Sequence, residues 1–209
     1  MFAFLSLWLA VTRVFASEPG EEPVGEVDAT KARAEYVRLS QELEKLAMRN
    51  AWTGVERTFV AIEATGVPPS FDDFVTGANS ARALGDVRSA RSRLMAANAL
   101  KEDRGVLDSL WEIDSKFGAV SLAADLGAVE FRAEVLPFEP AQAKSVEFAK
   151  QQIDETGVFE GFLPEGVYWF GDTEVKVQPR VSAILIDVRT DDGHKPKRKK
   201  KKKKQDTEN

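Results

Sequence analysis

Along the chain, the spacing of apolar positions changes twice. From residue 36, apolar side chains recur every three or four positions: Tyr36, Leu39, Leu43 and Leu46, then Trp52, Val55, Phe59 and Ile62. That spacing lines them up on one face of a helix, so each group predicts an amphipathic helix. Asp28 or Thr30 is the expected N-cap of the first, and Gly66 with Pro68-Pro69 ends the second. Ser70 caps a third helix carried by Phe74, Ala78, Ala81 and Leu84. After Gly85-Asp86 a fourth follows with Val87, Ala90, Leu94, Ala97 and Leu100, giving four helices in two hairpins. A fifth stripe, Val106, Leu107, Leu110 and Trp111, is expected to cover the apolar end that two hairpins leave open.

From Gly118 the period falls to two. Val120, Leu122 and Ala124 alternate with Ala119, Ser121 and Ala123; Val129, Phe131, Ala133 and Val135 alternate with Glu130, Arg132 and Glu134. Both runs predict strands with one buried face, the first weak and the second strong, and Pro137 ends the second. Residues 140–153 read as helix in preference to strand. Pro140 suits a first turn, Val146, Ala149, Lys150 and Ile153 keep helical spacing, and Gly157 stops the run. The rest is β again, through Leu163-Pro164-Glu165-Gly166-Val167-Tyr168 and residues 181–188. Pro164 fixes the backbone and Gly166 permits positive φ, so residues 164–166 predict a tight turn within a local hairpin. The expected fold class is α+β, with a helical domain over residues 28–117 and a β-rich, sandwich-like domain over residues 118–190.

An internal repeat organises the helical part. Adding 35 to Leu39, Leu43, Leu46, Trp52, Val55, Phe59 and Ile62 gives Phe74, Ala78, Ala81, Val87, Ala90, Leu94 and Ala97, all apolar. With the small Ala78, Ala90 and Ala97 and the turn at Gly85-Asp86, residues 36–101 resemble tetratricopeptide repeats. The resemblance implies close helix contacts at Ala90 and Ala97, with Arg91 on the exposed face. It also implies a peptide-binding groove on the first helix of the second unit, where Asp72, Asn79 and Arg82 fall; the amide and the planar guanidinium would hold a partner's backbone or carboxylate. A solvated helix face with local ion pairs accounts for the same residues, and for the concentration of Arg82, Arg88, Arg91, Arg93 and Arg104. The stretch from Gly157-Val158-Phe159 to Leu163-Pro164-Glu165-Gly166-Val167-Tyr168 resembles the signature of transthyretin-like, carboxypeptidase-regulatory-like and PEGA-type β-domains. Together the halves resemble secreted bacterial proteins that join such helices to a small β-domain, a combination that implies no enzymatic activity.

The termini change the picture of where the protein works. Residues 1–16, MFAFLSLWLAVTRVFA, form an apolar run with Val14 and Ala16 where a signal peptidase would test small residues. They read as a secretory leader cleaved after Ala16; an uncleaved anchor or a misassigned start is the alternative. Residues 17–27, rich in Glu, Pro and Gly, read as a mobile linker. The expected location is therefore the periplasm or the cell exterior, without a stable membrane span after cleavage. The net charge of −5 conceals a split: residues 1–194 carry 20 basic and 32 acidic side chains, a formal −12, whereas nine basic residues crowd into residues 195–204. Lys195, Lys197, Arg198, Lys199, Lys200, Lys201, Lys202, Lys203 and Lys204 have nothing apolar to bury. Residues 191–209 are therefore expected to be a disordered tail, binding anionic envelope polymers or nucleic acid without sequence preference or serving only solubility.

Composition removes much chemistry. There is no Cys, so disulfides, thiolate metal sites and cysteine nucleophiles are excluded, and the sole His194 lies in the tail, which removes a folded His-dependent triad. No phosphate-binding glycine loop or EF-hand spacing occurs, and no cofactor or metal is expected. Candidate catalytic carboxylates are Asp72-Asp73, Asp125, Asp154-Glu155, Asp172 and Asp191-Asp192. Acids at helix starts and beside glycine are ordinary capping and turn residues, and no set of catalytic roles assembles from them. The consecutive Tyr168, Trp169 and Phe170 in a strand must send at least one ring away from the core, where a sugar or peptide could stack or a neighbouring helix, such as that at 140–153, could cover it. The sequence therefore favours a non-enzymatic interaction protein with a protein or peptide partner, with a carbohydrate-binding or structural envelope module as the alternative.

Overall fold

A computed structural model describes residues 24–134 and 139–190. The leader 1–16, most of the linker, Val135, Pro137 and the whole lysine-rich segment lie outside the described residues. The protein is α+β. Among the described residues five helices come first: α1 Val24–Ala47, α2 Trp52–Ala64, α3 Phe71–Leu84, α4 Val87–Leu100 and α5 Arg104–Lys116. Then follow β1 Phe117–Ala123, β2 Phe131–Ala133, α6 Pro140–Thr156, β3 Val158–Pro164, β4 Gly166–Phe170, β5 Thr173–Val177 and β6 Ile184–Asp187.

Helix α1 starts earlier than expected, inside the stretch read as linker, which places Asp28 and Thr30 within the helix rather than at its cap. Once a helix has nucleated, good formers such as Ala29, Lys31, Ala32 and Ala34 let it grow at a net gain of one hydrogen bond per residue. Ser70 does cap α3: its hydroxyl accepts from the Asp73 amide while the Asp73 carboxylate accepts from the Ser70 amide. Gly85 ends α3 at φ 91, and the Asp86 side chain begins α4 by accepting from the Ser89 amide. Helices α2 and α4 begin 35 residues apart. Leu39, Leu43, Val55, Phe59 and Ile62 are buried, as are Ala78, Ala81, Val87, Ala90, Leu94 and Ala97, while Leu46, Trp52 and Phe74 pack at the margins. On α5, Val106 and Ile113 are buried and Leu110 partly so. Leu107 and Trp111, expected to face inward, point outward, with Trp111 65% exposed.

The strands form two three-stranded sheets. One has the order β3-β1-β6, β1 antiparallel to β3 and parallel to β6; the other is antiparallel with the order β2-β4-β5. Their apolar faces share one core with α6: Val120, Leu122, Phe159 and Leu163 from the first, Phe131, Tyr168, Phe170, Val175 and Val177 from the second, and Ala149 and Ile153 from the helix. The expected strengths of the first two strands are reversed, since β1 has seven residues and pairs on both sides whereas β2 is a three-residue edge. Position in the sheet, not alternation, decides how far pairing extends.

Residues 164–166 are not a hairpin turn. They are a corner at which the chain leaves one sheet for the other, because β3 pairs with β1 while β4 pairs with β2 and β5. Tyr168 fixes this corner by donating its buried hydroxyl to the Pro164 carbonyl at 2.9 Å, the arrangement of a tyrosine corner. The hairpin lies next along the chain, where Gly171-Asp172 joins β4 to β5.

Helix α6 ends at Gly157 as expected. Its body lies on the β core and also against α3. A Cβ on Gly85 would run into the Lys144 carbonyl. Phe117 and Phe162 carry the outer face of the first sheet into the apolar cluster of α3, α4 and α5, so the two halves share packed side chains.

Candidate functional site

The three residues expected to line a groove on α3 differ in fate. Asp72 and Asn79 are exposed, and Arg82 is half-buried. Asn79 and Arg82 border a shallow concavity of about 420 Å³ with Trp52, Pro140, Ala141 and Lys144, whereas Asp72 lies outside it. One wall is thus the first turn of α6, a helix legible in the sequence although its docking on α3 was not. The Asn79 amide makes no hydrogen bond among the described residues.

Arg82 does not stand free to receive a ligand. Its Nη2 lies 2.6 Å from Glu112 Oε2 on α5, and Lys116 Nζ bridges Glu112 at 3.2 Å and Glu139 at 3.1 Å. The Arg82 hydrogen bond, aided by Lys116, holds the Glu112 carboxyl below the usual carboxylate range, and Glu139 and Glu112 raise the Lys116 ammonium. The remaining arginines of this region are paired too. Arg88 meets Glu160 at 2.5 Å, Arg91 meets Asp114 at 2.7 Å and Arg104 lies 3.9 Å from Asp108. Arg91, expected on the exposed face, is therefore engaged across α4 and α5. Arg93 is buried over the Phe59 ring at 4.2 Å, donates to the Gly77 carbonyl and forks onto both oxygens of Glu56.

One carboxylate acquires a structural role that spacing did not reveal. Asp73, one residue from the expected Asp72, is buried and accepts from Tyr36 Oη at 2.7 Å, Ser40 Oγ at 2.7 Å and Ser70. Burial alone would raise its pKa, but the donated hydrogen bonds prevail and hold it below the ordinary value. Ser70 is a local capping partner, but the i, i+33 and i, i+37 separations of Ser40 and Tyr36 hide the rest of the cluster from any local pattern. The other candidate acids are dispersed. Asp125 accepts from the Thr190 amide and hydroxyl, Asp154 and Glu155 are exposed, Asp172 sits in the β4–β5 turn, and Asp191-Asp192 lies outside the described residues. Among the described residues, no group of three or more Asp, Glu, His or Cys is arranged to hold a metal ion.

Of the aromatic triplet, Tyr168 and Phe170 enter the core and Trp169 is 37% exposed on the opposite face of β4, in register with Arg132 and Glu174. Helix α6 packs into the core on the Tyr168 side, so it does not cover Trp169. Among the described residues no helix is long and apolar enough to cross a membrane. Compared with known proteins, the chain matches no family model, and no curated protein or solved structure is significantly similar to it.

Proposed function

We propose that this chain is an exported, non-enzymatic interaction protein. Its two helical hairpins, read as tetratricopeptide-like, bind a protein or peptide partner, and its basic tail holds it near an anionic surface. The observation that carries the reading is Asn79: an amide without a hydrogen-bond partner among the described residues, set in a concavity between Trp52 and the first turn of α6. A partner's backbone needs both a donor and an acceptor, and an amide side chain supplies both. The ion pair to Glu112 turns Arg82 from a ligand clamp into a wall that keeps this concavity in shape.

The test is selection of a peptide from a random display library on the full chain, followed by calorimetry. Asn79→Ala should weaken the selected peptide about tenfold or more, and Asp72→Ala, outside the concavity, should leave it unchanged. Equal affinity for wild type and Asn79→Ala defeats the reading. The tail is tested separately by heparin retention with and without residues 191–209. Unchanged retention and salt dependence would reduce those lysines to a solubilising appendage.

A second reading rests on Trp169, a ring exposed on β4, with a charged residue in register on each side, in a domain read as a small β-sandwich. Such a platform suits carbohydrate stacking, and glycan-array binding lost in Trp169→Ala but kept in Asn79→Ala would favour it.

A further inference from the structure

A second concavity lies on another side of the molecule, where α4 and α5 meet the outer face of the β3-β1-β6 sheet. It has a volume of about 600 Å³, within the range of small-molecule sites, and is bordered by Arg91, Trp111, Asp114, Phe117, Phe162 and Arg180. Three of these are aromatic. Trp111 is the residue that sequence periodicity assigned to the helical core but that stands 65% exposed.

The charges do not cancel. Arg91 is satisfied by Asp114 through Nε–Oδ1 at 2.7 Å and Nη2–Oδ2 at 3.2 Å, and lies 5.9 Å from the Phe162 ring. Arg180 has no acidic partner among the described residues; its guanidinium lies 5.9 Å from the Trp111 ring. Among the described residues the cleft therefore carries one uncompensated positive charge beside an apolar wall.

The backbone at Arg180 adds an independent observation. Arg180 has φ 58 directly after Pro179, in the loop between β5 and β6. Proline followed by a residue of positive φ is a turn whose second position ordinarily takes glycine or asparagine. Asn50 is the only other non-glycine with positive φ among the described residues, and asparagine adopts that region readily. An arginine gains nothing there from the backbone. Its side chain is what the position supplies, and backbone strain of this kind gathers at ligand clamps.

We infer that this cleft binds a small organic anion with a flat apolar body: the body lies along Trp111 and Phe162 and a carboxylate or sulfonate meets Arg180. A planar guanidinium is suited to both tasks, since it pairs bidentately with a carboxylate and stacks on aromatic rings. The site is separate from the Asn79 concavity, so it stands or falls independently of the partner-binding reading.

The probes are 2-naphthoate, its neutral counterpart 2-naphthylmethanol, and acetate, titrated into the full chain by calorimetry and by the indole Nε1 resonance of Trp111. Naphthoate should bind at least about tenfold more tightly than either the alcohol or acetate and should shift the Trp111 resonance. Arg180→Gly should lose about tenfold or more in affinity while its thermal midpoint stays the same or rises, because glycine relieves the turn. Trp111→Ala should lose binding and Trp169→Ala should keep it. Equal affinity for naphthoate and the alcohol overturns the inference, as does undiminished binding by Arg180→Gly or binding lost in Trp169→Ala but not in Trp111→Ala.

Discussion

At the scale of single residues, two glycines with similar backbone angles separate conformation from packing. Gly127 has φ 73 with nothing within 4 Å of the place a Cβ would occupy, whereas Gly85 has φ 91 and the Lys144 carbonyl in that place. Gly127→Ala should cost about 1–2 kcal/mol from the left-handed backbone alone. Gly85→Ala should cost a further 1–3 kcal/mol, roughly, because α6 must move. Urea denaturation of both variants measures the difference, and equal losses would mean that α6 does not rest on α3. Asp73 makes a pH-dependent prediction. Its folded-state pKa is depressed below 3.8, so its contribution to stability is present above that value and fades as the pH falls through the lower folded value. The stability gap between wild type and Asp73→Asn should therefore be widest near neutrality and shrink below about pH 3.8. Denaturation midpoints across that range check it. The capping-box spacing from Ser70 singles out Asp73 over Asp72 locally, and the arrival of Tyr36 and Ser40 from α1 then buries it.

At the scale of elements, helix pairing follows from side-chain size. Ala90 and Ala97 are fully buried on α4, so α3 and α4 approach closely at positions where Val55 and Ile62 occupy the preceding hairpin. Ala90→Leu should overpack this contact and cost about 1–3 kcal/mol, while Met95→Ala, at a residue 51% exposed on the same helix, should cost less than about 0.5 kcal/mol. Equal denaturation midpoints would show that the repeat does not describe the packing. Helix positions were legible because a period of 3.6 is local. Strand partners were not: the Pro164-Gly166 segment has turn chemistry, yet whether it makes a hairpin or a corner depends on which sheet receives β4. Tyr168 decides that through a hydrogen bond four residues back, at the point where β4 joins β2 and β5.

At the scale of the whole molecule, the helical and β parts are joined by more than a connecting residue. Phe117 and Phe162 sit in the helical cluster, α6 touches α3 at Gly85, and Arg88–Glu160 and Lys116–Glu139 tie the halves at the surface. The apolar contacts carry most of the coupling, since exposed ion pairs contribute little. Far-ultraviolet circular dichroism, which reports mainly the helices, and the fluorescence of Trp169 in a variant with the other tryptophans replaced by Phe should therefore give coincident unfolding transitions. Two separated transitions would show that the halves fold independently.

Local chemistry was enough to mark out the α+β class, the Ser70 cap, the ends of α6 and the alternating faces of β1, because each depends on neighbours within one or two turns of chain, and the 35-residue spacing is legible because it repeats such a local pattern. The sequence also placed Trp111 in an apolar stripe, where tertiary packing overruled it by turning the indole outward beside the sheet, and Arg91 on an exposed face, where Asp114 engages the guanidinium across a helix boundary. The shallow concavity at Asn79 and the cleft at Arg180 exist only because α6 and the β3-β1-β6 sheet lie against the helices. Which residues border a shared surface is decided by contacts between segments far apart in the chain, and no local period encodes them.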